Sequence, residues 1–400
     1  MFRRACAFGL TALLVGIVFC LLPFPVQAGI YSFGKPADTT PYSTGLGTPN
    51  AGQQQSGQNN GQQAGYPNPA QAKAGEPVVM PTGNFFSTRV DIPGRSDWEA
   101  LYFDRHYNST RAKVKGALGF GWRHRWEIEY RADARGILVV WNDGREIRFT
   151  KTKDGFQPPS DVFEQLIKNP DGTFQLRTRE NLLYRFDSRV HGQLTSIADS
   201  HGALVQLMYA DSRPYRLQKV IDRYKNTLTF TCDGMGRLKE VADSAGRVAK
   251  YEHDVVRNLL VHATDPLGYA MEYRYDHDGN LAEQIFPDGV KLINKYDAMH
   301  RVVAQSGQGR ADIFTFQYFD KERRVEARAW GGRLTQYSHD EKGRITEIVD
   351  PLGRRTINRY DARGLLTERV GPKGDRWRFR YDGMGNLIQL RTPLGFSWPA

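Results

Sequence analysis

Tyr360-Asp361-Ala362-Arg363-Gly364-Leu365-Leu366 and Tyr381-Asp382-Gly383-Met384-Gly385-Asn386-Leu387 are one phrase written twice, 21 residues apart. Asp340, Asp361 and Asp382 are each followed three positions later by glycine, at Gly343, Gly364 and Gly385. Between them a second turn signal keeps the same step, as Asp350-Pro351-Leu352-Gly353, Gly371-Pro372-Lys373-Gly374 and Thr392-Pro393-Leu394-Gly395. Upstream, Asp320, Asp297, Asp276, Asp254 and Asp233 extend the series to eight copies, with gaps of 21, 22, 21, 23, 20, 21 and 21 residues. Gly236 and Gly279 close the early turns, and Pro266 and Pro287 mark earlier second turns. The residue five after each Asp is apolar throughout, from Leu238 to Leu387, and an aromatic precedes each Asp by one or three positions. Self-similarity at a step of about 20–50 residues is the signature of a repeat architecture.

The physical reading is one β-hairpin per repeat. Aromatic and β-branched residues alternate with charged ones on both sides of each turn, the period of a half-buried strand. The Asp carboxylate can accept from backbone amides just ahead, and glycine supplies a positive φ without a Cβ clash. Asp-Pro-Leu-Gly fits a type I turn, with Pro pre-setting φ at the second position. Arg257, His300 and Arg323 stand where three copies should carry glycine, so those turns are expected to be built differently or to carry strain. The fold class expected is all-β, an array of about ten antiparallel hairpins of ~21 residues over 186–400 forming a curved, incomplete wall.

Outside the array the chain divides further. Residues 1–28 read as a secretory signal peptide: Arg3 and Arg4, an apolar run from Ala5 to Leu22, and small residues at Val26-Gln27-Ala28 before Gly29. An uncleaved anchor is the rival, and bulky Phe19 before Cys20 argues against a lipoprotein signal. Cleavage would remove two arginines and no acids, lowering the formal charge from +11 to +9. Export implies a periplasmic, cell-surface or secreted protein, touching the membrane only through its signal. There a basic balance points to anionic glycans or surfaces and away from nucleic acid, unless the arginines only solvate strand faces. Cys232 would then be the one cysteine left, so no intramolecular disulfide frame is available. Residues 29–75, rich in Gln, Asn, Gly and Pro, cannot bury enough to offset ordering entropy and read as a disordered linker. Residues 76–185 read as short strands with hairpins at Val140–Arg145 and Asn169–Gly172, and a short helix over Asp161–Lys168.

These motifs resemble those of the Rhs proteins and teneurins, whose repeat runs Tyr-Asp-x-x-Gly-Arg/Asn-Leu. Upstream, Glu76-Pro77-Val78, Thr82-Gly83-Asn84-Phe85, Ile92-Pro93-Gly94-Arg95, Arg105-His106-Tyr107-Asn108-Ser109 and Gly116-Ala117-Leu118-Gly119-Phe120-Gly121-Trp122 resemble the segment that opens the repeat region in bacterial Rhs proteins. The likeness spans about 76–395. It implies a spiralling antiparallel sheet around a cavity that encloses a C-terminal toxin domain, released by self-cleavage near an Asp-Pro-x-Gly-Leu ending. Family shells use more sequence than this, and only Phe396 to Ala400 follow Gly395, so a short form without its own toxin is expected. Asp265-Pro266-Leu267-Gly268 and Asp350-Pro351-Leu352-Gly353 look like the cleavage ending but fall in phase as repeat turns, and are expected to be structural.

Enzyme motifs are missing: there is no nucleophile elbow, phosphate-binding glycine loop or metalloprotease helix. His253 and His262 lack metal-ligand spacing, and Asp276-His277-Asp278-Gly279 lacks the further ligands of a calcium loop. No cofactor, metal or catalytic residue is therefore expected. The leading expectation is an exported, non-enzymatic wall that encloses a separately encoded toxin or other cargo, or self-associates through its open sheet edges. A carbohydrate-binding or adhesion module is the alternative, with Trp98, Trp126, Trp330 and Trp377 as candidate glycan contacts. A hydrolase using paired turn carboxylates is the third reading.

Overall fold

A computed structural model describes residues 73–74, 77–94 and 101–399, apart from 190, 212, 214, 308 and 309; for 310–312 and 397–399 it describes the backbone alone. The stretch read as signal peptide, residues 29–72 of the stretch read as linker, and Trp98 lie outside the described residues; the linker reading is corrected at its end, where Lys73–Ala74 form a strand paired with Val78–Val79 and Ala74 is buried. From Gln165–Lys168 to Ser397–Pro399, twenty-three described strands follow one another as a single antiparallel meander. Each strand pairs with the next in the chain, so every connection is a local turn. Strands such as Thr227–Cys232, Arg355–Tyr360 and Arg376–Tyr381 are six residues long. Short twisted strands joined this way curl the sheet across its width.

The meander is forked at its start. The first half of His191–Asp199 pairs with Glu129–Asp133 (Gly192 opposite Tyr130), while its second half pairs with Leu183–Phe186. Glu129–Asp133 leads into Gly136–Val140, Glu146–Thr152 and Gly155–Gln157, a second meander. At the fork Gly192 is obligatory, because a Cβ there would sit 2.0 Å from the Tyr130 ring. Among the described residues Ser397–Pro399 pairs only with Leu387–Arg391, and the antiparallel hairpin sheet is not closed.

The expected helix over Asp161–Lys168 is not formed. Gln165–Lys168 is a strand paired with Phe174–Arg177, and residues 158–164 form a loop and turn. The Asn169–Gly172 turn immediately beyond makes 165–177 a hairpin, and cross-strand hydrogen bonds replace the helical ladder.

A smaller sheet of Lys73–Ala74, Val78–Val79, Asn84–Ile92, Phe103–Asn108 and Trp122–His124 lies on one face of the meander. Every residue of Phe103–Asn108 is buried. The core sits between this sheet and the face of the meander that carries Leu228, Phe230, Tyr251, Met271 and Tyr273. Phe103 meets Phe230 and Tyr251 with ring centroids 5.9 Å apart, and Trp122 meets Tyr273 at 5.0 Å. Such aromatic pairs add about 0.5–1.5 kcal/mol each beyond the area they bury.

Candidate functional site

The repeat turns are built to one plan. In the Asp340 turn the Asp340 amide donates to the Arg344 carbonyl (2.9 Å) and the Gly343 amide to the Asp340 carbonyl (3.0 Å). Asp340 Oδ1 accepts from the Lys342 and Arg344 amides, and Oδ2 from Arg344 Nε at 2.6 Å. Arg237–Asp233 and Arg301–Asp297 repeat the arrangement, and Asn280–Asp276 and Asn386–Asp382 replace the guanidinium by an amide. This explains the Arg or Asn four after Asp233, Asp276, Asp297, Asp340 and Asp382; after Asp361 that place is Leu365, and Arg363 reaches the carboxylate instead. A one-residue register shift just before the Asp and a positive φ at the glycine (φ 78° at Gly385) mark a hairpin with a glycine bulge. Asp243 and Asp350 in the second turns use the same contacts with Arg247 and Arg354.

Of the three copies without the turn glycine, one keeps the plan and takes the strain, His300 at φ 61°; Arg323 also has a positive φ of 50°, but its turn joins Phe319 to Arg324 without the register shift and Asp320 pairs with Arg301 instead. The third is displaced by one residue. Asn258 has φ 55° and its amide reaches the Asp254 carbonyl, so Arg257 is not the strained position.

The tyrosine before the Asp has a role that spacing alone did not reveal. Its hydroxyl donates back to the carbonyl of the apolar residue that follows the preceding turn: Tyr296 to Leu281, Tyr360 to Ile345 and Tyr381 to Leu366, at 2.9, 2.8 and 3.0 Å. Each tyrosine therefore ties its repeat to the one before it. Burial raises these phenols, Tyr381 to about 12, so they remain donors at neutral pH.

The tyrosine turns form one rim of the sheet, and the N-terminal signature residues lie along it. Ala117 O accepts from the Leu238 amide (2.8 Å), the Phe120 amide donates to Asn258 O (3.1 Å), Tyr107 Oη accepts from the Leu281 amide (2.8 Å), and Gly83 O accepts from the Val302 amide (2.9 Å). One backbone group is met in each of four successive repeats. Two glycines permit the approach: a Cβ on Gly83 would lie 2.5 Å from Arg301 Cβ, and one on Gly119 2.6 Å from Asn258 O. Further along, Ser160, Phe163 and Arg179 meet the last three tyrosine turns. Lys342 Nζ reaches Ser160 Oγ (3.2 Å), Ser160 Oγ donates to Ala362 O (3.4 Å), and Arg179 donates to Gly385 O (2.5 Å).

Behind this seam a charged latch crosses the core. Arg105, 1% exposed, pairs with Asp91 at 2.8 Å, donates to Tyr273 Oη at 2.5 Å and stacks over Trp122. Tyr251 Oη donates to the same Asp91 oxygen at 2.8 Å. Burial opposes the Arg105 charge, yet Asp91 and the two phenols outweigh it and hold the guanidinium protonated. His124, buried beside it in the small sheet, is pushed down chiefly by burial. A cleft of about 340 Å³ opens between residues 115–131 and the first repeats, lined by Lys115, Arg131, Arg216, Tyr215 and Cys232. Burial raises the half-buried Cys232 thiol, which keeps it a poor nucleophile.

Two family models match the chain: one described as a domain of unknown function, DUF6531, over residues 75–149, and one described as RHS Repeat over 360–397. These matches support the Rhs/Tyr-Asp repeat family. The probable deoxyribonuclease RhsB of Dickeya dadantii is 26% identical over 71% of this chain, and the tRNA nuclease WapA of Bacillus subtilis 23% over 67%. The matches occupy 22% and 11% of those relatives, so this chain spans less than a quarter of either. Among solved structures, a Photorhabdus luminescens Tc holotoxin pore aligns over 74% of this chain and 20% of its own, with 11% identity and a TM-score of 0.28.

The tryptophan candidates separate. Trp126 is 1% exposed and packed beside Arg125, so it is not a surface glycan contact; its large apolar ring is worth more in the core than in water. Trp330 is exposed in a turn and Trp377 is half-buried. The repeat-turn residues from Asp233 to Gly385 lie along the two rims and are not gathered into one site. No cluster of His, Cys, Asp or Glu suited to a metal occurs among the described residues.

Proposed function

We propose that this chain is an exported Rhs-type structural wall, without catalysis of its own, that lines or encloses a separately encoded toxin or other polypeptide. The observation that carries the reading is the seam. Signature residues from Gly83 to Phe120 meet consecutive repeat turns one by one, which makes the curved sheet and its N-terminal cover one rigid structure. The chemistry spent on the seam is structural: backbone pairing, aromatic packing and a latch whose charges are all satisfied. Relatives named as nucleases match over the region shared with this chain, a minor part of their length. The first 28 residues supply the export signal in this reading.

The test is the mass of the native particle, by light scattering with mass spectrometry, after gentle purification from the source. A particle heavier than one chain, with a second polypeptide or further copies, is the expected result; a clean monomer with no bound polypeptide would overturn the enclosing role. The chain's localisation is checked in the same preparation by sequencing the mature N-terminus, expected at Gly29. A second reading, a glycan-binding surface, is favoured by exposed Trp330 and half-buried Trp377. Binding on a glycan array lost in Trp330→Ala would support it.

A further inference from the structure

On one face of the last repeats, a row of charged side chains across the strands ends in a like-charged pair. The registers place Arg359 opposite Glu368, Glu368 opposite Arg378, and Arg378 opposite Arg391. Directly opposed residues have Cβ atoms about 4.5–5.5 Å apart, and like charges at that distance are destabilising. Glu368 is already shared among Arg359 (3.1 Å), Arg376 and Arg378 (both 3.3 Å). Arg391 and Lys373 have no ion pair among the described residues. Arg376, Arg378, Arg391 and Lys373 line one hollow of about 380 Å³ between the turns at Gly371 and Thr392, where Asp375 is the one carboxylate.

The central repeats show that the fold does not require this excess. There Glu272 pairs with Arg274 (2.7 Å), and Glu283 pairs with Arg274 (3.3 Å) and Lys291 (2.9 Å), so signs alternate across the face. We infer that the hollow between Arg378 and Arg391 is a binding site for a doubly charged tetrahedral oxyanion, such as a phosphate group. Each guanidinium offers a planar fork of N–H donors that matches two oxygens of one such anion. A dianion neutralises the opposed pair, which a single carboxylate cannot do. The inference is independent of what the wall encloses.

The experiment is isothermal titration calorimetry of the full chain with inorganic phosphate, at constant ionic strength balanced with chloride. Saturable binding is expected, weakened by about tenfold or more in Arg391→Gln, which loses a charged hydrogen-bonding group. Arg391→Glu gives Arg378 a partner in place, so it should fold, melt at a higher temperature without phosphate and lose the phosphate response. Equal phosphate binding by wild type and both variants, or none that saturates, would overturn the site. Short-chain polyphosphate binding tenfold tighter than phosphate would assign the site to a polymer-borne phosphate, and equal affinity to the free ion.

Discussion

The two rims of this sheet are made from the same hairpins, yet they end in different surroundings. The tyrosine-turn rim is covered: Gly83, Tyr107, Ala117 and Phe120 meet the early repeats, and Ser160, Phe163 and Arg179 the last three. At the opposite rim contacts are sparse, among them Arg247 to Pro93 O and Arg89 over Phe286. There the turn leucines Leu267, Leu352 and Leu394 are 81, 76 and 84% exposed. Turn chemistry is alike on both rims, so it cannot be what distinguishes them. Cover from the N-terminal sheet is, and it makes one rim a fixed part of the core while leaving the other to solvent.

The comparison breaks most severely if the latch behind the covered rim is cut. Arg105→Ala should cost about 3–5 kcal/mol, because it leaves Asp91 buried without its partner. Chemical denaturation would show it, and an unchanged midpoint would mean the small sheet is not held by this pair. Gly83→Ala on the same rim should cost about 2 kcal/mol or more, since a Cβ at φ 63° meets Arg301 and strains the backbone. Gly353→Ala on the open rim, with no heavy atom in reach, should cost less; the difference between the two melting temperatures measures the cover directly.

Acid should test the carboxylates common to both rims. Burial opposes ionisation of Asp233, Asp243 and Asp350, but hydrogen bonds and charge from Arg237, Arg247 and Arg354 outweigh it and leave each carboxyl below its ordinary value. Their stabilisation is therefore fully present above the unfolded value, about 3.9, and is lost as the pH falls through the lower folded values. The melting temperature should hold from neutrality down to about pH 4 and fall below it. Asp243→Asn should lower the neutral-pH value and flatten that fall.

Two smaller effects sharpen the picture. Arg323→Gly removes a non-glycine residue from φ 50° and should stabilise by about 1 kcal/mol or less, the exposed pair with Glu341 contributing little. Leu352→Ser on the open rim should change stability by no more than about 0.5 kcal/mol. If open-rim leucines mediate association, the same substitution should reduce the particle mass seen by light scattering.

Much of this was legible in particular residues. The Asp-to-Gly spacing announced the turns, and the alternation in segments such as Arg376–Tyr381 announced strands exposed on one side. Local rules failed where a distant contact decided the outcome. Asp161–Lys168 has the composition of a short helix, but the Asn169–Gly172 turn folds it against Phe174–Arg177. Trp126 looked available to a ligand and is instead in the core, because Trp122–His124 carries the chain into the small sheet. The hollow at Arg378 and Arg391 was invisible as well, since residues 13 apart become neighbours only in this register.

The sequence by itself determined the period, the turn chemistry and the antiparallel hairpins. Those are local: an Asp carboxylate, an amide two or four residues on and a glycine at positive φ need nothing from afar. Only the tertiary structure decided which rim is covered, where each tyrosine hydroxyl finds its carbonyl and which arginines face each other. These contacts join groups in different hairpins or sheets, from the tyrosine bonds that span 15 residues to Arg105 and Tyr273, 168 residues from one another. No local preference encodes them; they follow from burying one sheet's apolar face on another while pairing the charges buried with it, as Arg105 is with Asp91.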